Sequence, residues 1–435
     1  MLRDIAMFSR YAWGLRSFLR RPLALEQARA QVQRRLKARD KSFLRIVQRG
    51  VYAQPESPYR RLLLHAGIDF EDLAELVRKT GVESTLHTLH SAGVYLTLEE
   101  FKRQRTIVRG SLSIPVRKHD VDNPLPAGHY EASSGGSRSA GTRIVVDLDL
   151  LAYETAYHML YQSMFGLEDR PMAVWRPLPP GSSGIKNALY QLKSGRRLHK
   201  WFHQNRQAWD GQSLKYRAFT AWTVYASRLA GHPLPAPQHV PPAQAHKVAR
   251  WLAEMRIRGA PALLDGSATS AVRVCLEARR LGLDIRDTFF RVGGEPFTAA
   301  KAKTIREAGG IASPHYSMSE VGRIGIGCAA PSELDDMHIM LDKFAVIQRD
   351  RHIAGHVSPL SILHLTTLHP ATPKLMLNVE TDDYAVLVRR DCGCPLGELG
   401  LSLHAHSLRS FEKLSSEGMS FIGSDLISLV EEILP

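Results

Sequence analysis

Between residues 243 and 308 the chain alternates helical and strand periods at a spacing that leaves few architectures open. A helical pattern at 243–257 leads to an apolar run at 261–265 and a second helical pattern at 268–281; a run at 288–292 and a helix at 298–308 follow. Strands alternating with single helices in this way form βαβ units on a parallel sheet. Upstream, Arg143–Asp147 and Met172–Arg176 read as short strands, 148–165 as a helix and 190–231 as irregularly helical, with Trp201, Trp209 and Trp222. The proline-rich stretch 232–242 reads as an internal linker. Beyond residue 330 the strands shorten and alternate (337–348, 361–367, 384–389), which predicts a β-rich subdomain. The fold class is α/β.

At 435 residues, with 44% apolar and 23% charged side chains, the chain calls for two or more packed units of a soluble globular protein. No apolar run reaches the roughly 18 residues a membrane span needs, and the N-terminus has no secretory signal pattern. Four cysteines are too few for a disulfide framework at this size, and a reduced cytoplasm is the expected setting.

The net charge of +14 is concentrated in residues 1–50, where thirteen Lys and Arg face only Asp4, Glu26 and Asp40. Residues 2–21 predict a helix with Ile5, Phe8, Ala12, Leu15 and Leu19 on one face, ended by Pro22. Such a helix, with Trp13 and Phe18, either packs on its own domain with a basic rim or makes a peripheral membrane contact through residues 1–22. A second helix is expected at about 25–49 with Gly50 as its stop, and Ser57-Pro58 marks another helix start. The Arg196–Trp201 run is read as a solvated helix face, and no nucleic-acid partner is expected.

Three segments carry candidate chemistry. The run Ser133-Ser134-Gly135-Gly136-Ser137-Arg138-Ser139 is either a flexible linker or a loop whose backbone N–H groups and hydroxyls close around phosphate oxygens. It is not a Walker loop, because no Gly-Lys-Ser/Thr follows. Arg291-Val292-Gly293-Gly294-Glu295 stands at a strand end of the expected parallel sheet, where ligands of open α/β sheets bind. Tyr316-Ser317-Met318-Ser319-Glu320 follows about twenty residues later, at another expected switch from strand to loop.

In that order the three segments resemble the phosphate loop, adenine-site loop and Tyr-x-x-Ser/Thr-Glu motif of the adenylate-forming (acyl-CoA synthetase) superfamily. The phenylacetate–CoA ligase branch is the closest resemblance, and Tyr52–Arg60 is similar to that branch's N-terminal Ser-Pro-x-Tyr-Arg helix start. The resemblance implies a large N-terminal α/β domain of the adenylate-forming type, with helices over mixed sheets and a β-rich subdomain at about 330–408. It divides the chain into a basic helical extension (1–50), a core (51–408) and a hinge with the start of a C-terminal lid (409–435). By that resemblance Ser133, Ser134, Gly135, Gly136, Ser137 and Ser139 hold the ATP phosphates, and Gly293, Gly294 and Glu295 line the adenine. Tyr316, Ser317 and Ser319 belong to the same nucleotide site, and Glu320 binds Mg²⁺. Glu380-Thr381-Asp382-Asp383 matches the family's Arg-Thr-Gly-Asp, so Asp383 accepts from the ribose hydroxyls. Arg409 in Arg409–Lys413 is the hinge-region arginine that contacts ribose or phosphate, with Glu412 as the pivot.

This sequence departs from the family at Arg138 and Ser139, where Gly and Lys are usual, and at Glu380 and Asp382, which add negative charge beside a nucleotide. The family's catalytic lysine belongs beyond residue 435, so the chain is expected to be a shortened ligase or one whose lid comes from elsewhere, and to bind nucleotide better than it adenylates. The implied reaction joins a small carboxylic acid to ATP as an acyl-adenylate, then passes the acyl group to CoA or to the phosphopantetheine of a carrier protein. The alternatives are a fold kept as a binding module on a membrane or partner, and an adenylating amide ligase.

Cys328, His338, Cys392 and Cys394 form a further constellation. A Cys₃His set suits a closed structural Zn²⁺ site, and some relatives of the phenylacetate–CoA ligase branch look similar, with a Cys-x-Cys pair before the hinge. The other reading is three small buried thiols and a satisfied core histidine.

Overall fold

The structure, a computed structural model, describes residues 2–126, 130–133, 143–205, 211–352, 358–410, 413–416 and 419–422. The chain divides into two compact units. The first comprises Met1–Val32, Ala127–His338 and Asp391–Leu399; the second comprises Gln33–Pro126, Ile339–Arg390 and Gly400–Pro435. Among the described residues no helix is long and apolar enough to cross a membrane.

The first unit is built on strands β1 (Met172–Trp175), β2 (Lys200–His203), β3 (Gln238–His239), β4 (Leu263–Gly266), β5 (Phe289–Gly293), β6 (Ile311–Met318), β7 (Gly322–Gly327) and β8 (Met337–Ile339). Their order is β3-β2-β1-β4-β5-β6-β7-β8. The first six in that order run parallel, and β7 returns antiparallel to β6. Strands buried on both faces need apolar residues throughout rather than alternation; Met172-Ala173-Val174-Trp175 is buried at every position.

The longer helices of this unit include α1 (Leu2–Arg20), α2 (Leu148–Met164), α3 (Ser183–Lys193), α4 (Gly211–Leu229), α5 (Ala245–Ile257), α6 (Ala268–Arg280) and α7 (Ala299–Glu307). Val248 and Leu252 of α5, Val274 of α6 and Ile305 of α7 share a core with Trp175, Leu264 and Phe290. Phe289 instead meets the rings of Tyr161 and Phe165. Successive residues of β5 therefore serve opposite faces, as strand geometry requires. The chain leaves β1 toward β2 and β3, then returns to place β4 on the other side of β1. That reversal puts a topological switch point between β1 and β4, where open α/β sheets form ligand crevices.

The first helix resolves its two readings toward packing. Met7, Tyr11, Leu15, Phe18 and Leu19 are buried. The Tyr11 hydroxyl shares a 2.8 Å hydrogen bond with Thr223 Oγ1 of α4, and Lys193 Nζ donates to the carbonyls of Phe18 and Arg21 at 2.7 Å. Of the apolar face expected to enter a membrane, Leu15 and Leu19 are thus spent inside the unit.

The second unit pairs Phe344–Arg351, Leu360–Thr367, Val379–Arg389 and Leu403–Ser410 into an antiparallel sheet, the expected β-rich part. Helices Arg39–Val47, Pro58–His65 and Phe70–Ser91 accompany it, with Arg39 holding Glu83 in a two-pronged ion pair. Asn378 Nδ2 donates to the carbonyls of Leu86 and Val94, which ties this helical segment to the sheet.

Four local expectations are corrected. The expected helix at 25–49 is two helices, Leu25–Lys37 and Arg39–Val47, followed by a π turn at Gln48–Tyr52. Gly50 lies inside that turn because its Cβ would stand 2.7 Å from Leu375, and not because it ends a helix. Residues 190–231 contain strand β2, so Lys200 starts a strand and the Arg196–Trp201 run is not a helix face. The 232–242 linker contributes β3 to the sheet edge, and 337–348 is broken into two strands by the turn before Phe344.

Candidate active site

Charged side chains at the carboxyl ends of β1, β4 and β5 break the apolar rule of the sheet. Asp265 of β4 is fully buried. One of its oxygens accepts from Arg176 Nε, just past β1, and the other from Arg291 Nε of β5. Arg176 also donates to the carbonyls of Gly266 and Gly293, so a single guanidinium ties together three strand ends beside the switch point. Burial alone would raise the Asp265 carboxyl, yet the Arg176 and Arg291 charges outweigh it and hold the group well below the usual carboxylate range.

A second layer satisfies what remains of Arg291. Its Nη1 donates to His158 Nδ1 at 2.7 Å and its Nη2 to Asn187 Oδ1 at 2.9 Å. His158 Nε2 then donates to Gln191 Oε1, which also receives Gln162 Nε2. Burial, followed by the Arg291 charge, pushes His158 far below its ordinary value, so it acts as a neutral acceptor. Nearby, the Tyr190 hydroxyl donates to buried Glu154, whose other oxygen accepts from the Arg323 backbone N–H at 3.0 Å. A buried ionic network fully hydrogen-bonded in this way gives orientation more than net stability.

The expected adenine loop begins where this network ends. Gly293 is paired with His315 of β6, and a Cβ there would lie 2.6 Å from the His315 ring and 2.7 Å from its carbonyl oxygen. Gly294 has φ +90°, a conformation that favours glycine. The Glu295 carboxylate accepts from the Thr269 backbone N–H at 2.6 Å and from its hydroxyl at 2.7 Å. It thereby fastens the loop to the N-terminal turn of α6, which Ser267 caps.

Tyr316, Ser317 and Met318 remain in β6, with a bulge between Tyr316 and Ser317. Ser319, Glu320 and Val321 form the tight turn into β7, and Tyr316 is buried while Glu320 is half-buried. Bulges next to functional sites re-aim side chains. The two segments thus sit at the same end of neighbouring parallel strands. Ser133 ends a strand of the hairpin Tyr130–Ser133 with Arg143–Val146. Ser134, Gly135, Gly136, Ser137 and Ser139 lie outside the described residues. In the second unit Asp383 pairs with Ser410, and Arg409 pairs with Tyr384; the Asp383 backbone N–H donates to Thr381 Oγ1.

The four expected metal ligands come together within the first unit. Cys328 follows β7, His338 is in β8, and Cys392 and Cys394 flank Gly393 at φ +67°. Their ligand atoms all lie within 4.8 Å of one another. His338 Nε2 stands 3.1 Å from Cys394 Sγ and 3.7 Å from Cys392 Sγ. A hydrogen bond from Cys328, opposed by burial and aided by His338, holds Cys394 far below the ordinary thiol range. The Ala330 N–H points at Cys328 Sγ from 3.3 Å. A Cβ on Gly397 would sit 2.9 Å from Cys392 Sγ, so this backbone wraps closely around the sulfurs.

Sequence reading missed the Arg176–Asp265–Arg291 network. The available signal was a charge at the end of each of three apolar strands.

The fold is similar to that of solved CoA-ligase structures. Among solved structures it is similar to 2-hydroxyisobutyryl-CoA ligase. In that ligase's postadenylation state with 2-HIB-AMP the TM-score is 0.56 at 13% identity, covering 95% of this chain and 74% of that chain. The open conformation with 2-HIB-AMP and CoA gives 0.52 at 14% identity, with 91% and 74% covered. At such identities the likeness concerns the fold. No family model and no curated protein matches the sequence.

Proposed function

We propose that the protein activates a carboxylic acid with ATP as an acyl-adenylate and transfers the acyl group to a thiol, either CoA or a carrier-protein phosphopantetheine. The observation that carries this reading is the placement of Gly293–Glu295 and Tyr316–Glu320 at the carboxyl ends of adjoining parallel strands beside the switch point, in an adenylate-forming fold. A carboxylate oxygen attacks the α-phosphorus and displaces pyrophosphate; the thiol then attacks the acyl carbon and releases AMP. Gly293 and Gly294 offer a side-chain-free backbone edge for the adenine. Arg176 holds that edge in place, and catalysis rests on positioning and charge stabilisation. One half-buried carboxylate, Glu320, suits Mg²⁺, which takes one or two protein carboxylates beside substrate phosphates and water. The ion would supply charge neutralisation at the leaving pyrophosphate.

For the Cys328–His338–Cys392–Cys394 cluster we propose a structural Zn²⁺. Tetrahedral zinc places its N and S ligands about 3.6 Å apart, and the 3.1 and 3.7 Å separations bracket that value. The ion would pin the Asp391–Leu399 segment to β7 and β8. Thiolates kept for a metal suit the reducing cytoplasm.

The test is incubation with ATP, Mg²⁺, CoA and a panel of aryl, alkyl and amino acids, with mass spectrometry of the products. An acyl-CoA thioester is expected. An amide formed with an added amine would move the reading to an amide ligase. No adduct together with no ATP binding would reduce the protein to a binding module of the same fold.

A further inference from the structure

Helix α2 meets both segments of the candidate nucleotide site from one side. Glu154 and His158 are four residues apart, so they share a helical face, and both are buried. His158 accepts from Arg291, in the strand that ends at Gly293. Glu154 reaches the start of β7 instead. One of its carboxylate oxygens accepts from the Arg323 backbone N–H at 3.0 Å, and the other from the Tyr190 hydroxyl of α3. The Arg323 guanidinium lies over the Tyr190 ring, 5.4 Å from its centroid, so carboxylate, phenol and buried cation form one cluster.

The place of that contact gives it its meaning. Glu320 stands in the turn from Met318 to Val321, where the Val321 N–H donates to the Met318 carbonyl at 3.3 Å, and Gly322 follows with φ +82°. The register then slips: Tyr316 faces Gly325 while Ser317 faces Arg323, so β7 carries one residue more than β6. A bulge interrupts the ladder beside the turn, and a buried N–H needs an acceptor. Glu154 supplies one there, three residues from Glu320 and from a helix outside the hairpin. Because Tyr190 holds the second oxygen, the carboxylate is itself fixed in orientation.

We infer that Glu154 is a positioning residue for Glu320. Together with Tyr190 it anchors the turn, so that the Glu320 carboxylate keeps its place relative to Gly293–Glu295, as a metal shared between a carboxylate and nucleotide phosphates requires. The inference rests on the ligase reading and on Glu320 as the Mg²⁺ ligand.

Mn²⁺ takes the same oxygen ligands as Mg²⁺, and its electron paramagnetic resonance signal reports binding without turnover. The full chain is titrated with Mn²⁺ in the presence of α,β-methylene-ATP, which cannot release pyrophosphate; binding of the analogue alone is measured by calorimetry in EDTA. Glu154→Ala is expected to weaken Mn²⁺ binding about tenfold or more, the usual effect of losing the partner that orients a metal ligand, while metal-free analogue binding changes less than about twofold. Glu154→Gln keeps an acceptor for the Arg323 N–H and an amide for the Tyr190 hydroxyl, and is expected to stay within about threefold of the wild type. Tyr190→Phe leaves the ring under Arg323 and removes one bond, with an expected loss of about threefold; it decides the matter if circular dichroism shows that Glu154→Ala does not fold. Mn²⁺ binding that Glu154→Ala or Tyr190→Phe leaves unchanged overturns the inference. So does a loss in Glu154→Gln as large as in Glu154→Ala, or a parallel loss of metal-free analogue binding. A wild type that binds neither nucleotide nor Mn²⁺ sinks the ligase reading and the inference with it, whereas a wild type that binds both, matched by its Glu154→Ala variant, sinks the inference alone.

Discussion

Replacing Asp265 by Asn probes the network beneath the candidate site with almost no change of shape. The carboxylate is fully buried and is the shared acceptor of Arg176 and Arg291. Removing its charge leaves two guanidiniums in the interior without their counter-ion, and breaking a buried ion pair from one side costs about 3–5 kcal/mol. Urea unfolding followed by the fluorescence of buried Trp175 and Trp201, both in this unit, should show a loss of that size. The pH dependence has a definite sign. The folded-state carboxyl is held below its ordinary value. Its contribution is therefore complete above the unfolded value of about 3.9 and is lost as the pH falls through the lower folded value. The gap between wild type and D265N should stay constant from pH 8 to 5 and narrow only under more acid conditions. E277Q, which breaks the exposed ion pair to Arg280, should give no measurable shift. A D265N penalty under about 1 kcal/mol, or one that varies between pH 8 and 5, would refute the reasoning.

Gly293→Ala forces a Cβ into the His315 ring and carbonyl; calorimetry should show ATP binding weakened about tenfold or more, while a surface Gly282→Ala change has no effect on it. Metal analysis of the purified protein should find close to one zinc per chain. Cys394→Ser should abolish it and lower the melting temperature; less than about half an equivalent in the wild type removes the zinc assignment. Tyr11→Phe loses the bond to Thr223 and should cost about 0.5–1.5 kcal/mol in urea titration. Burial lowers His90 and His364 to about 4. Both are neutral in the folded state and charge on unfolding, so stability should fall as the pH drops from about 6.5 toward 4. A His364→Gln variant should flatten that decline.

The βαβ region was legible because its helices and strands differ in period, and the boundaries moved by one or two residues: 261–265 became Leu263–Gly266, and 288–292 became Phe289–Gly293. Strand β2 was hidden because Lys200-Trp201-Phe202-His203 is only four residues long and follows a basic run that mimics a helix face. The Cys328–His338–Cys392–Cys394 group could be named as a candidate because cysteine is scarce in this chain, so three of four falling near one histidine is informative. The charges at the ends of three apolar strands were visible, but not that Arg176, Asp265 and Arg291 meet, since they are 89 and 26 residues apart and only strand order brings them together. For α1, periodicity identified a two-faced helix; the buried side depended on where Thr223 and Lys193 stood, which no local pattern contains.

The most direct test of the acyl-activating reading is carboxylate-dependent exchange of labelled pyrophosphate into ATP, run with the wild type and with Glu320→Gln. The account predicts exchange with at least one carboxylate class, its dependence on Mg²⁺, and a loss of about a hundredfold or more in the variant. Exchange that no carboxylate in a broad panel elicits, or that Glu320→Gln leaves unchanged, would contradict it.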